Sequence, residues 1–346
     1  MATIDEFKNL TMLKYLELQQ AERLFFSTTF FGKRVKYNTA YLQLDKLVEE
    51  RKLGEYIGPQ EESKLVERQG FTATPYDVPI IGHKMAITEI DVEKRMMGEG
   101  IYSNVDKNSK VSAFELKDLR KMSSMIDRAI ELQTAQLFED DAAILRNGDQ
   151  VSYGRTASHD VTLAGADLWT AGTADIYGDL KAWSALIQDD GQGSSTDVVM
   201  GSEALDALVN DATMQTLLNN RRTEAGMIEY RNIAPGVKYA GYIAGIGDIW
   251  EYRGWYKNTS NVKTYYLDQK KVVMVDRDTL DSEIACAPVA SVKTMNGVDR
   301  LVFTPAEKFA ETLSEKNTAT IFNQVKSRPL AVIRNADAVV SAKVLS

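Results

Sequence analysis

Ser158-His159-Asp160 carries the residue types of a nucleophile, a base and an orienting acid, so it is the first place to look for chemistry. Such a relay needs side chains that meet across the fold, each hydrogen-bonding the next, and three consecutive residues cannot converge in that way. The expectation for His159 is therefore a polar strand end. The chain has two histidines, His83 and His159, which leaves little material for an imidazole-based site. Gly245-Ile246-Gly247-Asp248 pairs two glycines but lacks the third glycine and the strand-to-helix setting of a dinucleotide site, and it reads as a hairpin turn. No glycine-rich phosphate loop ending in Lys-Ser or Lys-Thr occurs.

The acidic groups are equally poor as sites. Glu139-Asp140-Asp141 falls on consecutive positions of an expected helix, where side chains splay around the axis and one ion cannot collect all three. Asp189-Asp190-Gly191 could line a weak calcium loop or form a mobile acidic loop, and its spacing is not that of an EF-hand. Asn258-Thr259-Ser260 matches a glycosylation sequon that means little without secretion. Arg221-Arg222, after a helix, either complements the helix dipole or makes an intersubunit contact. The single cysteine, Cys286, excludes an internal disulfide and any thiolate-rich metal site, and it is expected buried. No cofactor and no metal is expected, and the chain is not read as an enzyme.

Composition narrows the class without selecting it. The 346 residues suffice for two modest domains. Net charge is −8, from 41 Lys and Arg against 49 Asp and Glu. Tight DNA wrapping needs many cationic phosphate contacts, so this balance argues against a dedicated DNA binder. No stretch approaches the roughly 18 apolar residues of a membrane span. Asp5 and Glu6 near the start do not fit a signal peptide, so export is not expected.

The elements that would have to position a site are more informative. Residues 4–31 place Phe7, Leu10, Leu13, Leu16 and Leu24, then Phe25-Phe26 and Phe30-Phe31, at partly helical spacing. They read as an arm packing against something else, or as an ordinary first helix. From Val35 to Ile90 the pattern turns extended. Leu53-Gly54-Glu55-Tyr56-Ile57 and Lys64-Leu65-Val66-Glu67-Arg68 flank turn chemistry at Gly58-Pro59, while Pro75 and Pro79 keep the return path out of a central strand. An isolated hairpin of this kind is marginal in water, so something must cover it.

The strongest local signal is a helix over 112–147. Ser112 and Glu115 suggest a capping box, Leu116, Leu119, Met122, Ile126, Ile130 and Leu137 fall at helical spacing, and Met125, Ala129 and Leu132 widen the face. With Asn147-Gly148 as its stop, the helix would have about 34 residues and span on the order of 50 Å. Beyond it the sequence predicts strand material from Gln150 to Leu163 and a loop from Trp169 to Gly178. A short helix follows at Leu180–Ile187, a buried strand at Asp197–Met200 and a helix from Ser202 through Leu218. Further strands are expected near 237–244, 249–256, 264–267 and 272–275, and the tail from Asn317 to Leu345 is extended.

This order of arm, charged hairpin, very long helix, mixed α/β segment and returning strands resembles the HK97-like fold of tailed-phage capsids. More specifically, the chain resembles the phage major capsid protein E family, the lambda type. The stretches that carry this resemblance are Leu24-Phe25-Phe26, Tyr56-Ile57-Gly58-Pro59, Asn219-Asn220-Arg221-Arg222, Tyr252-Arg253-Gly254-Trp255-Tyr256 with Tyr266-Leu267-Asp268, Ser327-Arg328-Pro329-Leu330, Ala336-Asp337 and Val339-Val340-Ser341. The resemblance implies an α+β HK97-like capsid fold. Its parts would be an N-terminal arm (1–40), an extended E-loop (41–90), a P domain (91–176 and 296–346, with a spine helix about 112–147) and a mixed α/β A domain (177–295).

It further implies a major capsid protein that self-assembles as pentamers and hexamers into an icosahedral shell around double-stranded DNA. The shell would have a portal, a scaffold and often a decoration protein, and the chain would reside in the virion after assembly in the host cytoplasm. Arm and hairpin consume the residues ahead of the long helix, so the scaffold is expected to be a separate protein. Glu55, Tyr56, Pro59, Lys64, Glu67, Arg68, Arg221 and Arg222 are the candidate intersubunit contacts. Two rivals stand beside this reading: an encapsulin-like compartment of the same fold, and a soluble α/β enzyme using Asp189-Asp190.

Overall fold

The computed structural model describes residues 24–39, 41–46, 72–93, 107–145, 148–218, 226–234, 236–295, 298–315, 317 and 320–346. Its central beam is a 34-residue helix, Lys107–Asp140. The length expected from sequence is right and the position is not. The helix begins and ends earlier than 112–147, Ser112 lies inside it as an exposed residue, and Gly148 of the expected stop lies past its end, while Asn147 is outside the described residues. The reason is tertiary. Asp141 adopts a positive φ of 48°, and its carboxylate accepts the backbone N–H groups of Tyr153 (3.3 Å), Gly154 (2.8 Å) and Arg155 (3.0 Å). The buried Arg155 guanidinium in turn donates to the carbonyls of Leu137 and Phe138. A cation on the last helical carbonyls satisfies groups that have no partner within the helix and complements the dipole.

One face of this helix is buried at positions three, four and seven apart: Leu119, Met122, Ile126, Ile130, Leu137 and Phe138. Leu116 and Met125, expected on that face, are exposed instead. The helix packs on strands Ile81–Ile87, Thr320–Ser327 and Pro329–Ile333. Strand Ile81–Ile87 joins Thr320–Ser327 and Phe309–Glu315 in one three-stranded sheet. Arg34–Lys36, Ser282–Cys286 and Pro329–Ile333 form a second.

A seven-stranded sheet lies beside this layer in the order 160–162, 339–343, 271–275, 197–200, 247–252, 237–243 and 226–234. Every residue of Asp197–Met200 is buried, as the sequence suggested, with the apolar run Val198–Met200 behind an Asp197 that accepts from Trp250 and Arg277. Alternation explains why. Val199 and Val273 point into a core shared with the long helix, while Val198, Met200, Val272 and Met274 point into a second core with Leu180, Trp183 and Leu205. A strand covered on both faces favours apolar residues at successive positions, as at Val198, Val199 and Met200.

Other expectations shift by local chemistry. The helix expected through Leu218 is two, Ser202–Asn210 and Ala212–Leu218, because extended Asp211 restarts the second by accepting the Met214 N–H (2.8 Å). The helix Ile176–Asp189 begins earlier than expected, where Asp175 accepts the N–H of Gly178 at 3.0 Å. The strand material at 150–163 resolves into two short strands around a 3-10 turn. The run 249–256 breaks at Arg253-Gly254 into strands Gly247–Tyr252 and Trp255–Lys257. Gly245-Ile246-Gly247-Asp248 is the expected turn. Gly247 has φ +133°, and a Cβ there would meet the Thr196 carbonyl at 2.4 Å.

Candidate assembly surfaces and the frame beneath them

A chain that works by touching other chains needs surfaces held in a fixed geometry, and the buried polar groups supply it. Glu131, fully buried in the long helix, accepts the backbone N–H groups of Phe26 (2.8 Å) and Ser27 (2.8 Å) and the Tyr252 hydroxyl (2.8 Å). It thereby ties the short helix Phe25–Thr29 to the beam and to the large sheet. Around it Phe25, Phe26, Phe30 and Phe31 pack in tilted and edge-on contacts on Phe138, Trp250 and Tyr252 at centroid separations of 5.0–5.5 Å. For Phe25, Phe26, Phe30 and Phe31 the alternative of an ordinary first helix holds, since they belong to this chain's own core; the rest of the expected arm, residues 4–23, lies outside the described residues.

Two further buried groups anchor the strands. Lys308 pairs with Asp127 of the beam at 2.7 Å and donates to Ser123 at 2.8 Å, and burial holds its amine below the ordinary range. Glu283 accepts from Tyr37 (2.7 Å) and Arg334 (2.8 Å) and pairs with Lys33 at 3.2 Å. Burial and the Glu283 carboxylate push the Tyr37 phenol up. Neither carboxylate has a local signature, because each partner lies far along the chain.

The groups singled out from sequence fall into this frame. His159 is fully buried, with Nδ1 3.1 Å from the Val339 carbonyl and Nε2 3.1 Å from Asp190. Asp190 thus meets His159 instead of lining a calcium loop, and Ser158 and Asp160 do not complete a relay there. Among the described residues no group of three or more His, Cys, Asp or Glu could hold a metal ion. Glu139 reaches the N–H of Asp268, and burial raises its carboxyl to about 7. Asp140 pairs with Lys271 at 2.6 Å. Cys286 is buried, and burial pushes its thiol up. Burial also lowers the His83 imidazole.

The hairpin is described only at its root, where Tyr41–Lys46 pairs antiparallel with Thr72–Asp77 from Tyr41↔Asp77 to Lys46↔Thr72. Arg328 fixes this root, donating Nε and Nη2 to the Val78 carbonyl at 2.8 and 2.6 Å. Glu55, Tyr56, Pro59, Lys64, Glu67, Arg68, Arg221 and Arg222 lie outside the described residues.

Two surfaces escaped the sequence reading. The ribbon Val289–Met295/Val298–Thr304 pairs Val292 with Leu301 and Ala290 with Phe303, and leaves Val292, Leu301 and Phe303 about 60% exposed. The alternation that produces this apolar face is visible in the sequence, but the partner on its other face is not. The second surface is a groove of about 1100 Å³ between the beam and strand Trp255–Lys257, lined by Leu24, Met125, Leu132, Arg128, Arg253 and Lys257 among others. Trp255 beside it is half exposed under the Lys263 ammonium, 5.0 Å from the ring.

The sequence matches the phage major capsid protein E model over residues 10–344. The chain belongs to that family. It is therefore a major capsid protein, a structural component of the phage head and not an enzyme. The fold agrees. A protein assigned as a prophage capsid protein of E. coli CFT073 superposes with TM-score 0.70 at 16% identity, covering 97% of this chain and 98% of that one. A phage-related protein of Bordetella bronchiseptica RB50 gives TM-score 0.52 at 12% identity, covering 96% of each chain. A chain of Gordonia phage Cozz gives 0.50 at 11% identity, covering 100% of this chain and 96% of that one. These likenesses establish the HK97-like capsid fold. No curated protein matches the sequence. The family match sets aside both the compartment and the enzyme readings.

Proposed function

We propose that this capsid protein closes into pentamers and hexamers of an icosahedral shell by reaching over its neighbours with residues 41–90. The observation that carries the reaching role is the root itself. Strands Tyr41–Lys46 and Thr72–Asp77 pair with each other and with no third strand among the described residues. A two-stranded ribbon gains little stability alone, so burial against an adjacent subunit is what completes it. Repeated heterologous contacts of this kind close into rings, and many weak contacts add up to a stable shell. Glu55, Tyr56, Pro59, Lys64, Glu67 and Arg68 then contact the neighbour, and Arg221 and Arg222 serve as a second contact.

Within this reading residues 1–40 are the arm, 91–176 with 296–346 the P domain and 177–295 the A domain. The seven-stranded sheet is the seam between the last two, since it takes strands Asp160–Thr162 and Val339–Lys343 from the former. A separate scaffold protein, a portal and a decoration protein are the further partners. Assembly takes place in the host cytoplasm, and the finished shell encloses double-stranded DNA without sequence-specific contact. The net charge of −8 supports that last point, because an acidic wall does not grip the polymer.

Deleting Pro59 to Gly70 tests the reach. Circular dichroism should report a folded chain, and negative-stain microscopy should find no shells. Normal shells from the deleted chain would refute the role.

A further inference from the structure

The short ribbon beside the groove carries a charge opposite to that of the chain. From Arg253 to Leu267 the sequence holds three cations and no Asp or Glu, in a chain of net charge −8. Trp255–Lys257 pairs antiparallel with Lys263–Tyr265, which sets Trp255 opposite Tyr265 and Lys257 opposite Lys263. Side chains two apart share a face. Arg253, Trp255, Lys257 and Lys263 are exposed, while Tyr256 packs on Tyr266 at 5.0 Å. The Lys263 ammonium sits 5.0 Å from the ring centroids of both Trp255 and Tyr265, a cation–π arrangement that holds it in place. Arg253 and Lys263 flank the Tyr265 hydroxyl and hold its phenol below the ordinary range.

Among the described residues none of Arg253, Lys257 and Lys263 forms an ion pair with a carboxylate, whereas Lys238 of the large sheet is matched by Glu251 at 2.9 Å. The turn 258–262 that joins the two strands is exposed throughout and adds hydroxyls and amides without a carboxylate. Arg, Lys, Ser, Thr and Asn are side chains that bind phosphate oxygens, and a two-stranded ribbon is slender enough to lie along a groove of duplex DNA. We propose that the ribbon 253–265 contacts the phosphate backbone of duplex DNA without reading its sequence, a local exception on an acidic chain. This rests on the proposed enclosure of double-stranded DNA and names the surface that touches it. Three phosphate contacts make a weak bond that salt releases. At about −0.9 in log K per log salt for each contact, affinity falls about fortyfold between about 50 and 200 mM salt.

The test titrates a fluorescently labelled duplex of arbitrary sequence with the full, unassembled chain across a range of salt. Arg253→Gln with Lys257→Gln and Lys263→Gln should lower affinity at low salt by about tenfold or more and take about 2–3 from the salt slope. Lys257→Gln alone should take about 0.9, so the result does not hang on how the triple variant folds. Lys117→Gln with Lys121→Gln and Lys181→Gln removes the same charge from exposed positions elsewhere and should leave both quantities nearly as they were. Equal losses in the two triple variants, or an unchanged slope in the first, overturn the assignment.

Two further arms identify the partner and the place. Poly-glutamate at equal charge should compete poorly; if it displaces the labelled duplex as well as unlabelled duplex does, the partner is an acidic polypeptide and the proposal fails. Trp255 is the exposed one of the four tryptophans, so duplex should quench emission in the native chain and not in Trp255→Phe. Quenching retained in that variant overturns the site. Nuclease-protected DNA in purified shells reports enclosure separately: shells without DNA, built from a chain whose ribbon binds duplex, would sink the enclosure reading and leave the contact standing.

Discussion

Replacing Glu131 by Ala removes the acceptor for three donors at once: the N–H groups of Phe26 and Ser27 and the hydroxyl of Tyr252, each 2.8 Å away. Glu131 is fully buried, so water does not take over these bonds without opening the core. A stranded buried donor costs about 1–3 kcal/mol. Three of them, less the relief of no longer burying a carboxylate, give a net loss of about 3–5 kcal/mol, comparable to breaking a buried ion pair. Native stabilities are about 5–15 kcal/mol, so the unassembled subunit should lose a large fraction of its margin.

Glu131→Gln keeps the shape but turns an amide donor toward one of the three donors, and it should cost about 1–3 kcal/mol. Tyr252→Phe leaves the carboxylate its two backbone partners and should cost about 0.5–1.5 kcal/mol. Urea unfolding followed by tryptophan fluorescence gives the three values, and hydrogen exchange at Phe26 and Ser27 localises the effect. If Glu131→Ala costs less than about 1 kcal/mol while both amides stay protected, the carboxylate is not the tie between arm and beam.

Glu139 should make stability depend on pH. Its carboxyl is raised from 4.5 to about 7 by burial, so the folded chain keeps a proton that the unfolded chain releases. Stability is then highest below about 4.5 and falls as pH rises to about 7. The full shift corresponds to about 3 kcal/mol, and solvent around this half-buried group reduces it to about 1–2 kcal/mol. Urea midpoints across this range should fall more in the native chain than in Glu139→Gln, and parallel curves would contradict the assignment. Lys308→Ala should cost about 3–5 kcal/mol by leaving Asp127 unpaired, whereas Lys308→Met with Asp127→Leu should cost much less, as thermal melts would resolve. Arg328→Ala should strip both donors from the Val78 carbonyl, cost about 1–3 kcal/mol and speed amide exchange at 72–77; unchanged exchange there would count against Arg328 as the hairpin's root.

Reading residues in order sufficed wherever the determining interaction is local. Ile126 and Ile130 announce a helix by spacing, Asp197–Met200 announces a buried strand by the apolar run Val198–Met200, and Gly245–Gly247 announces a turn. The same reading kept Ser158-His159-Asp160 from being taken for a relay. The order of elements identified the family.

Three things were decided only by the fold. The helix ends at Asp140 because Asp141 and Arg155 exchange caps with a segment a dozen residues on. The face of the beam is half polar because Asp127 and Glu131 meet Lys308 and the amides of 26 and 27, groups more than a hundred residues away in the sequence. Its basic groove exists because strand Trp255–Lys257 comes to lie beside Met125 and Leu132. The physical reason is common to all three. A spacing pattern reports which residues leave water, but a buried charge or a groove is defined by the group facing it, and that group can come from anywhere in the sequence.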